Sequence, residues 1–197
     1  MGCSGSKEEV PKGKPLSLAS SKENEFKVVL IGDKSVGKTS IAVRLKSGTF
    51  DDGYELTIGG AYIKKTIQLP ESDPVNMHIW DTGGEERYRA MVPLYYRDAQ
   101  AALLVFDITD SATHKSLDYW INELHSKVNE EGMLIFIIGN KSDMEEGRQV
   151  SKNQALADAE NTNFSYFETS AKTGEGVVEM FNELARKLHE KKSNKQK

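Results

Sequence analysis

One cysteine, Cys3, is all the thiol chemistry that 197 residues contain, and neither a cluster of histidines nor a long apolar run goes with it. A single thiol excludes an intramolecular disulfide framework and a cysteine-based zinc site, and makes a reducing cytosol the expected surroundings. The longest apolar runs, 101–106 and 133–138, hold six residues each, whereas a membrane-spanning helix needs roughly 20. His78, His114, His125 and His189 are scattered without metal-ligand spacing and read as strand, helix or surface residues. What is present is ordinary: 38% apolar and 28% charged residues are too apolar for a disordered chain and suffice for one domain with a sizeable core.

The net charge of −4 conceals an uneven distribution. Residues 186–197 hold six basic side chains and one acid (+5), residues 1–24 hold four Lys and three Glu (+1), and 16 basic with 26 acidic residues leave −10 in 25–185. An acidic body repels nucleic acid, so no nucleic-acid partner is expected. The basic end has two readings, the solvated end of a helix or an attraction to anionic lipid.

Residues 1–24 are rich in Gly, Ser, Lys and Pro without an apolar period and read as a flexible leader. From Phe26 on, the runs FKVVLI, VNMHIW, AALLVFDI, MLIFIIGN and FSYFET are each about one strand long, and are apolar enough for strands covered on both faces. Leu117, Ile121, Leu124 and Val128 recur at helical spacing and stop at Gly132, and Val177, Met180, Phe181, Leu184 and Leu188 do the same. Ala61–Gln68 and Val75–Trp80, parted by a segment containing Pro70 and Pro74, predict an antiparallel hairpin. Strands alternating with helices give an α/β doubly wound domain over 25–189, followed by a basic tail over 190–197.

Gly32-Asp-Lys-Ser-Val-Gly-Lys38-Thr39 is a GxxxxGK[ST] loop between the first strand and a helical pattern. Glycines let backbone N–H groups wrap a phosphate, the lysine reaches the β and γ oxygens, and the hydroxyl ligates Mg²⁺ at a helix N-terminus. Asp81-Thr-Gly-Gly84 ends another strand, where an acid holds Mg²⁺ through water and a glycine N–H touches a γ-phosphate. Asn140-Lys141-Ser142-Asp143 ends a third; a carboxylate there accepts both hydrogens from N1 and N2 of guanine, a donor pair that adenine lacks. Thr169-Ser170-Ala171-Lys172 follows a fourth. The first is the most specific of the four, while the DxxG alone reads equally as a tight turn after a strand. Together they converge on the nucleotide crevice of an open α/β sheet.

The ordered set GDKSVGKT, TIGG, WDTGGEERYR, GNKSD and ETSAK resembles the Ras superfamily of small GTPases over Phe26–His189. Within it, TIGGAY, the stretch from Trp80 to Thr109 and the aromatic trio Tyr62, Trp80 and Tyr96 resemble the Rab family of vesicle-trafficking GTPases, nearest its early-endosomal branch. The resemblance implies a six-stranded, mostly parallel sheet with one antiparallel hairpin strand and helices on both faces. It implies that Asp33, Lys34, Ser35, Val36, Gly37, Lys38 and Ser40 surround the phosphates, that Thr39 and Thr57 ligate Mg²⁺ with Asp81, and that Gly84 senses the γ-phosphate. Phe50 is implied to pack against the guanine, which Asn140, Lys141 and Asp143 read with Ser170, Ala171 and Lys172. Residues near 50–60 and 83–95 are implied to be switches that meet an exchange factor, an activator and trafficking effectors, the aromatic trio facing the effectors, in a monomeric GTP/GDP switch. An ATP-hydrolysing enzyme is disfavoured by Asn140 and Asp143.

Two residues depart from the family pattern. Glu85 stands where the family places a water-orienting Gln, and Lys34 where it places a small residue. A carboxylate beside a triphosphate is repelled, and a long lysine obstructs an activator's arginine finger, which predicts slow hydrolysis and leaves open a GTP-binding tether that scarcely hydrolyses. The alternative is compensation, with the Lys34 ammonium neutralising γ-phosphate charge while Glu85 accepts a proton from water. Met1-Gly2-Cys3-Ser4-Gly5-Ser6 matches the myristoylation signal at Gly2, with Cys3 placed for palmitoylation, against a plain Gly-Ser leader and an ordinary exposed thiol. One acyl chain anchors marginally, so Cys3 or the basic tail is the expected second signal. With its only cysteine at position 3, the chain offers no C-terminal prenylation site, and the combination resembles the N-myristoylated endosomal Rabs of plants and protists. A peripheral, lipid-anchored protein on the cytoplasmic face of a trafficking membrane is expected.

Overall fold

In a computed structural model that describes residues 24–51, 57, 60–70, 72–84, 92–127 and 133–195, the apolar runs become the strands β1 (Glu25–Ile31), β3 (Val75–Thr82), β4 (Ala101–Asp107), β5 (Leu134–Asn140) and β6 (Ser165–Thr169). Every residue of β4 is buried. This is what a run without alternation requires when both faces of the sheet are covered. Together with β2 (Gly60–Ile67) they form one sheet in the order β2-β3-β1-β4-β5-β6. The β2/β3 pair is antiparallel and the others are parallel. β2 is an edge strand that buries only Ile63 and Ile67, so it alternates where the interior strands do not.

Alternate strand residues divide between two cores. Val28, Leu30, Leu103 and Val105 point to the face covered by α1 (Lys38–Ser47) and α6 (Val177–Lys195), against Ile41, Leu45, Met180 and Leu184. Val29, Ile31, Leu104 and Phe106 point to the other face, which carries α2 (Val92–Tyr96), α3 (Ser111–Lys115), α4 (Leu117–Lys127) and α5 (Lys152–Asn161). The doubly wound reading and its hairpin hold. Two details extend it. α5 buries only Ala155 and Ala159, too little apolar surface to show as a period in sequence. α6 continues through residue 195, so Lys191, Lys192 and Lys195 extend that helix. Among the described residues no helix is long and apolar enough to cross a membrane.

β1 lies between β3 and β4, and the connection from β1 to β2 runs to one side of it while that from β3 to β4 crosses to the other, so the strand order reverses at β1. Loops at the C-terminal strand ends of such a sheet surround a ligand crevice, and the loops after β1, β3, β5 and β6 hold the four motifs.

Candidate functional site

The loop after β1 turns through Ser35 and Gly37, at φ 62° and 95°, into α1. No side chain caps α1, which leaves first-turn N–H groups for an anion. Gly37 is required on two counts. Its φ is left-handed, and a Cβ there would lie 2.2 Å from Nδ2 of Asn140. That close approach lets Asn140 Nδ2 donate to the Val36 carbonyl at 2.8 Å, joining the loop after β5 to the loop after β1. Lys38 is 5% exposed, and its ammonium donates to the carbonyls of Gly32 (2.9 Å) and Asp33 (2.7 Å). Burial pulls its pKa down to about 8, against the opposing pull of Asp81 and Asp33.

Beside Lys38 three oxygen-bearing side chains meet. The Thr39 hydroxyl donates to Oδ2 of Asp81 at 2.6 Å, and Thr57 Oγ1 is 2.7 Å from Thr39 Oγ1. Thr39 has one proton and gives it to Asp81, so Thr57 is the donor in the second bond. The other carboxylate oxygen, Asp81 Oδ1, is buried without a hydrogen-bond partner, and burial raises the Asp81 pKa although Thr39 and Lys38 oppose it. An orphaned buried carboxylate oxygen next to two hydroxyls fits a hard divalent cation: Mg²⁺ takes oxygen donors, one or two of them carboxylate, and keeps several waters. Gly84 packs against this group so tightly that a Cβ would lie 2.5 Å from both the Asp33 carbonyl and Lys38 Nζ.

The loops after β5 and β6 are tied together. Asn140 Oδ1 accepts from Thr169 Oγ1 (3.1 Å) and Ala171 N–H (3.2 Å), and the Ser170 hydroxyl donates to Asp143 Oδ1 at 2.5 Å. One oxygen of the exposed Asp143 is thereby fixed, which orients its carboxylate. Lys141, at φ 68°, sends Nζ to Asp107 Oδ2 at 2.5 Å, and Asp107 also accepts from N–H and hydroxyl of Thr109. Lys34 and Lys172 are exposed, Ser40 lies half-buried in the first turn of α1, and Phe50 packs half-buried against the core under α1.

The structure therefore brings together the predicted residues of all four loops and Thr57. Glu85, Gly2 and Cys3 lie outside the described residues. One expectation is corrected. Tyr96 is 2% exposed inside the second core, so it presents nothing to an effector in this conformation. Its neighbour Tyr95 completes the aromatic row: Tyr62 and Trp80 rings lie 5.3 Å apart and Trp80 and Tyr95 rings 5.7 Å apart. Two residues were not anticipated. Trp120 is buried, and its indole N–H donates to Asp33 Oδ1 at 3.1 Å. Arg44 binds backbone of the loop after β6; its one sequence signal is a cation in the last turn of a helix, where it meets carbonyls.

The family model that matches residues 27–190 is that of the Ras family. The Ras-related protein Rab-5B of Plasmodium falciparum is 37% identical over 198 aligned residues, covering 96% of this chain and 94% of that protein. The GTP-binding protein ypt5 of Schizosaccharomyces pombe is 45% identical over 82% of this chain and 77% of its own length. The GTP-binding protein YPT52 of Saccharomyces cerevisiae is 37% identical over 86% and 84%.

Proposed function

The chain belongs to the Ras family and is a GTPase, and from that premise we propose that it is a Rab-type GTP/GDP switch of endosomal membrane trafficking, anchored by N-terminal myristate with palmitate on Cys3. The observation that carries the trafficking part is the alignment with Rab-5B across nearly the whole of both chains.

In this reading Lys38 exchanges its two carbonyl acceptors for β and γ phosphate oxygens. Thr39, Thr57 and Asp81 hold Mg²⁺, which when bound neutralises charge on the phosphates. Gly84 N–H meets the γ-phosphate, with a water in line beside the Thr57 carbonyl and Glu85. Asp143, oriented by Ser170, accepts from N1 and N2 of guanine. Loss of the γ-phosphate releases Thr57 and Gly84, and with them the contacts that hold effectors at Tyr62, Trp80 and Tyr95. Lys34 is exposed at the mouth of the loop, the position from which it obstructs an activator, so hydrolysis is slow. Single-turnover GTP hydrolysis tests this: reverting Glu85→Gln and Lys34→Ser separately should each raise the rate. Slowing by both would overturn it in favour of Lys34 and Glu85 acting as a compensating pair.

For the anchor, β1 starts at the end of the sheet opposite its phosphate loop. Lys192 Nζ from the end of α6 lies over the Phe26 ring at 5.9 Å, so the start of β1 and the basic helix end share one pole. Wild type should sit on membranes and Gly2→Ala should be released. Retention of Gly2→Ala would remove the anchor reading and leave the GTPase untouched.

A further inference from the structure

We propose that Arg44 is a positioning residue that ties the base-reading loop to the C-terminal end of α1, and that this tie sets the rate of guanine nucleotide release. A guanidinium carries five N–H donors in a fixed fork. Here the fork is spent on three backbone carbonyls and, among the described residues, on no carboxylate: Nε donates to Ala171 at 2.8 Å, Nη2 to Lys172 at short range, and Nη1 to Gly48 at 2.5 Å. Ala171 is thereby held on both sides, its N–H on Asn140 and its carbonyl on Arg44. Ser170, one residue earlier, holds Asp143.

Gly48 is held reciprocally. Its N–H donates to the Arg44 carbonyl at 2.9 Å while its own carbonyl takes Nη1. It opens the stretch that runs through Phe50 to Thr57. The helix that carries Arg44 begins at Lys38 and Thr39, so α1 is a ten-residue rod with the phosphate and cation groups at one end and this fork at the other. A nucleotide leaves when the base loop yields, and the fork holds that loop to the helix that begins at the phosphate groups. None of its three bonds goes to the oxygen cluster of Thr39, Thr57 and Asp81, so the restraint does not depend on the metal.

The inference rests on the guanine reading of the pocket. The experiment uses the full chain loaded with a fluorescent GDP analogue, its release timed in Mg²⁺ and again in EDTA. Loss of bonds from a charged donor predicts that Arg44→Met speeds release about 10-fold or more in both conditions. Arg44→Lys, which reaches one carbonyl but not three, should fall between it and wild type. Leu124→Ala, a cavity in the core under α4, measures general loosening: it should lower the thermal midpoint at least as much and change release less than about twofold. The proposal is overturned if release in Arg44→Met stays within twofold of wild type, or, should that variant not fold, if release in Arg44→Lys does. It is also overturned if Leu124→Ala speeds release equally, or if the acceleration vanishes in EDTA. A wild type that binds GDP no better than ADP overturns the base assignment alone, since release of either nucleotide still reads the fork.

Discussion

Gly84 shows how finely single residues set this site. With 2.5 Å between a hypothetical Cβ and both the Asp33 carbonyl and Lys38 Nζ, Gly84→Ala must push the segment after β3 away from the phosphate loop. Single-turnover hydrolysis should fall at least tenfold, while GDP, which lacks the γ-phosphate, is retained. At the other end of the crevice, Asp143→Asn replaces a double acceptor by a mixed donor and acceptor. Competition binding should show GDP affinity falling about 100-fold or more, with a gain for xanthosine diphosphate, whose N2 amino group is replaced by a carbonyl. Such residues were legible in the sequence because phosphate, cation and base each demand particular atoms at short spacing. The Tyr95/Tyr96 choice was not. Two tyrosines adjoin in a five-residue helix, too short to establish a period, and only the rotation of α2 against β1 and β3 decides which ring enters the core. Arg44 and Trp120 escaped for a related reason: they act on backbone or on a loop carboxylate across 127 and 87 residues of chain, and no local pattern marks such a partner.

Among the elements, the parallel strands and the long amphipathic helices α4 and α6 declared themselves by apolar runs and helical spacing. α3 and α5 bury little apolar surface of their own and left no such signal. His114 of α3 lies edge-on to Phe106 at 4.8 Å, its Nε2 3.5 Å from Asp158 of α5. Burial holds its pKa below the usual histidine value, with Asp158 and Asp118 opposing, so the folded state favours the neutral ring. Between that lowered pKa and about 6.5 the unfolded chain binds more protons, and stability falls on acidification through that window. Urea unfolding at pH 5 to 7 should show the decline, and His114→Gln should flatten it. On the far side of the same face, Arg148 grips Glu168 of β6 with two nitrogens and also donates to the Val150 carbonyl, while Tyr166 donates to the same carboxylate. Arg148→Met leaves that half-buried carboxylate uncompensated and should cost about 2–4 kcal/mol in equilibrium unfolding.

At the scale of the molecule, charge and shape divide the protein into two poles: nucleotide loops at the C-terminal strand ends, and the start of β1 with the basic end of α6 opposite. If that second pole rests on anionic lipid, Lys191→Gln with Lys192→Gln should weaken sedimentation with phosphatidylserine vesicles about tenfold or more, at about 1 kcal/mol per lysine, and high salt should erase the difference. The register of the hairpin joins the poles to the surface between them. Gly60 lies opposite Thr82, Ala61 opposite Asp81 and Tyr62 opposite Trp80. The start of β2 and the end of β3, which runs on to Gly84, thus lie at the same end of one antiparallel pair, and Tyr95 touches that end at Gly60. In the proposed reading, a protein seated on the aromatic row would sample both strand ends through one set of rings, and the two contacts with a γ-phosphate would reach it as a logical conjunction: either one displaced by itself would be read as off.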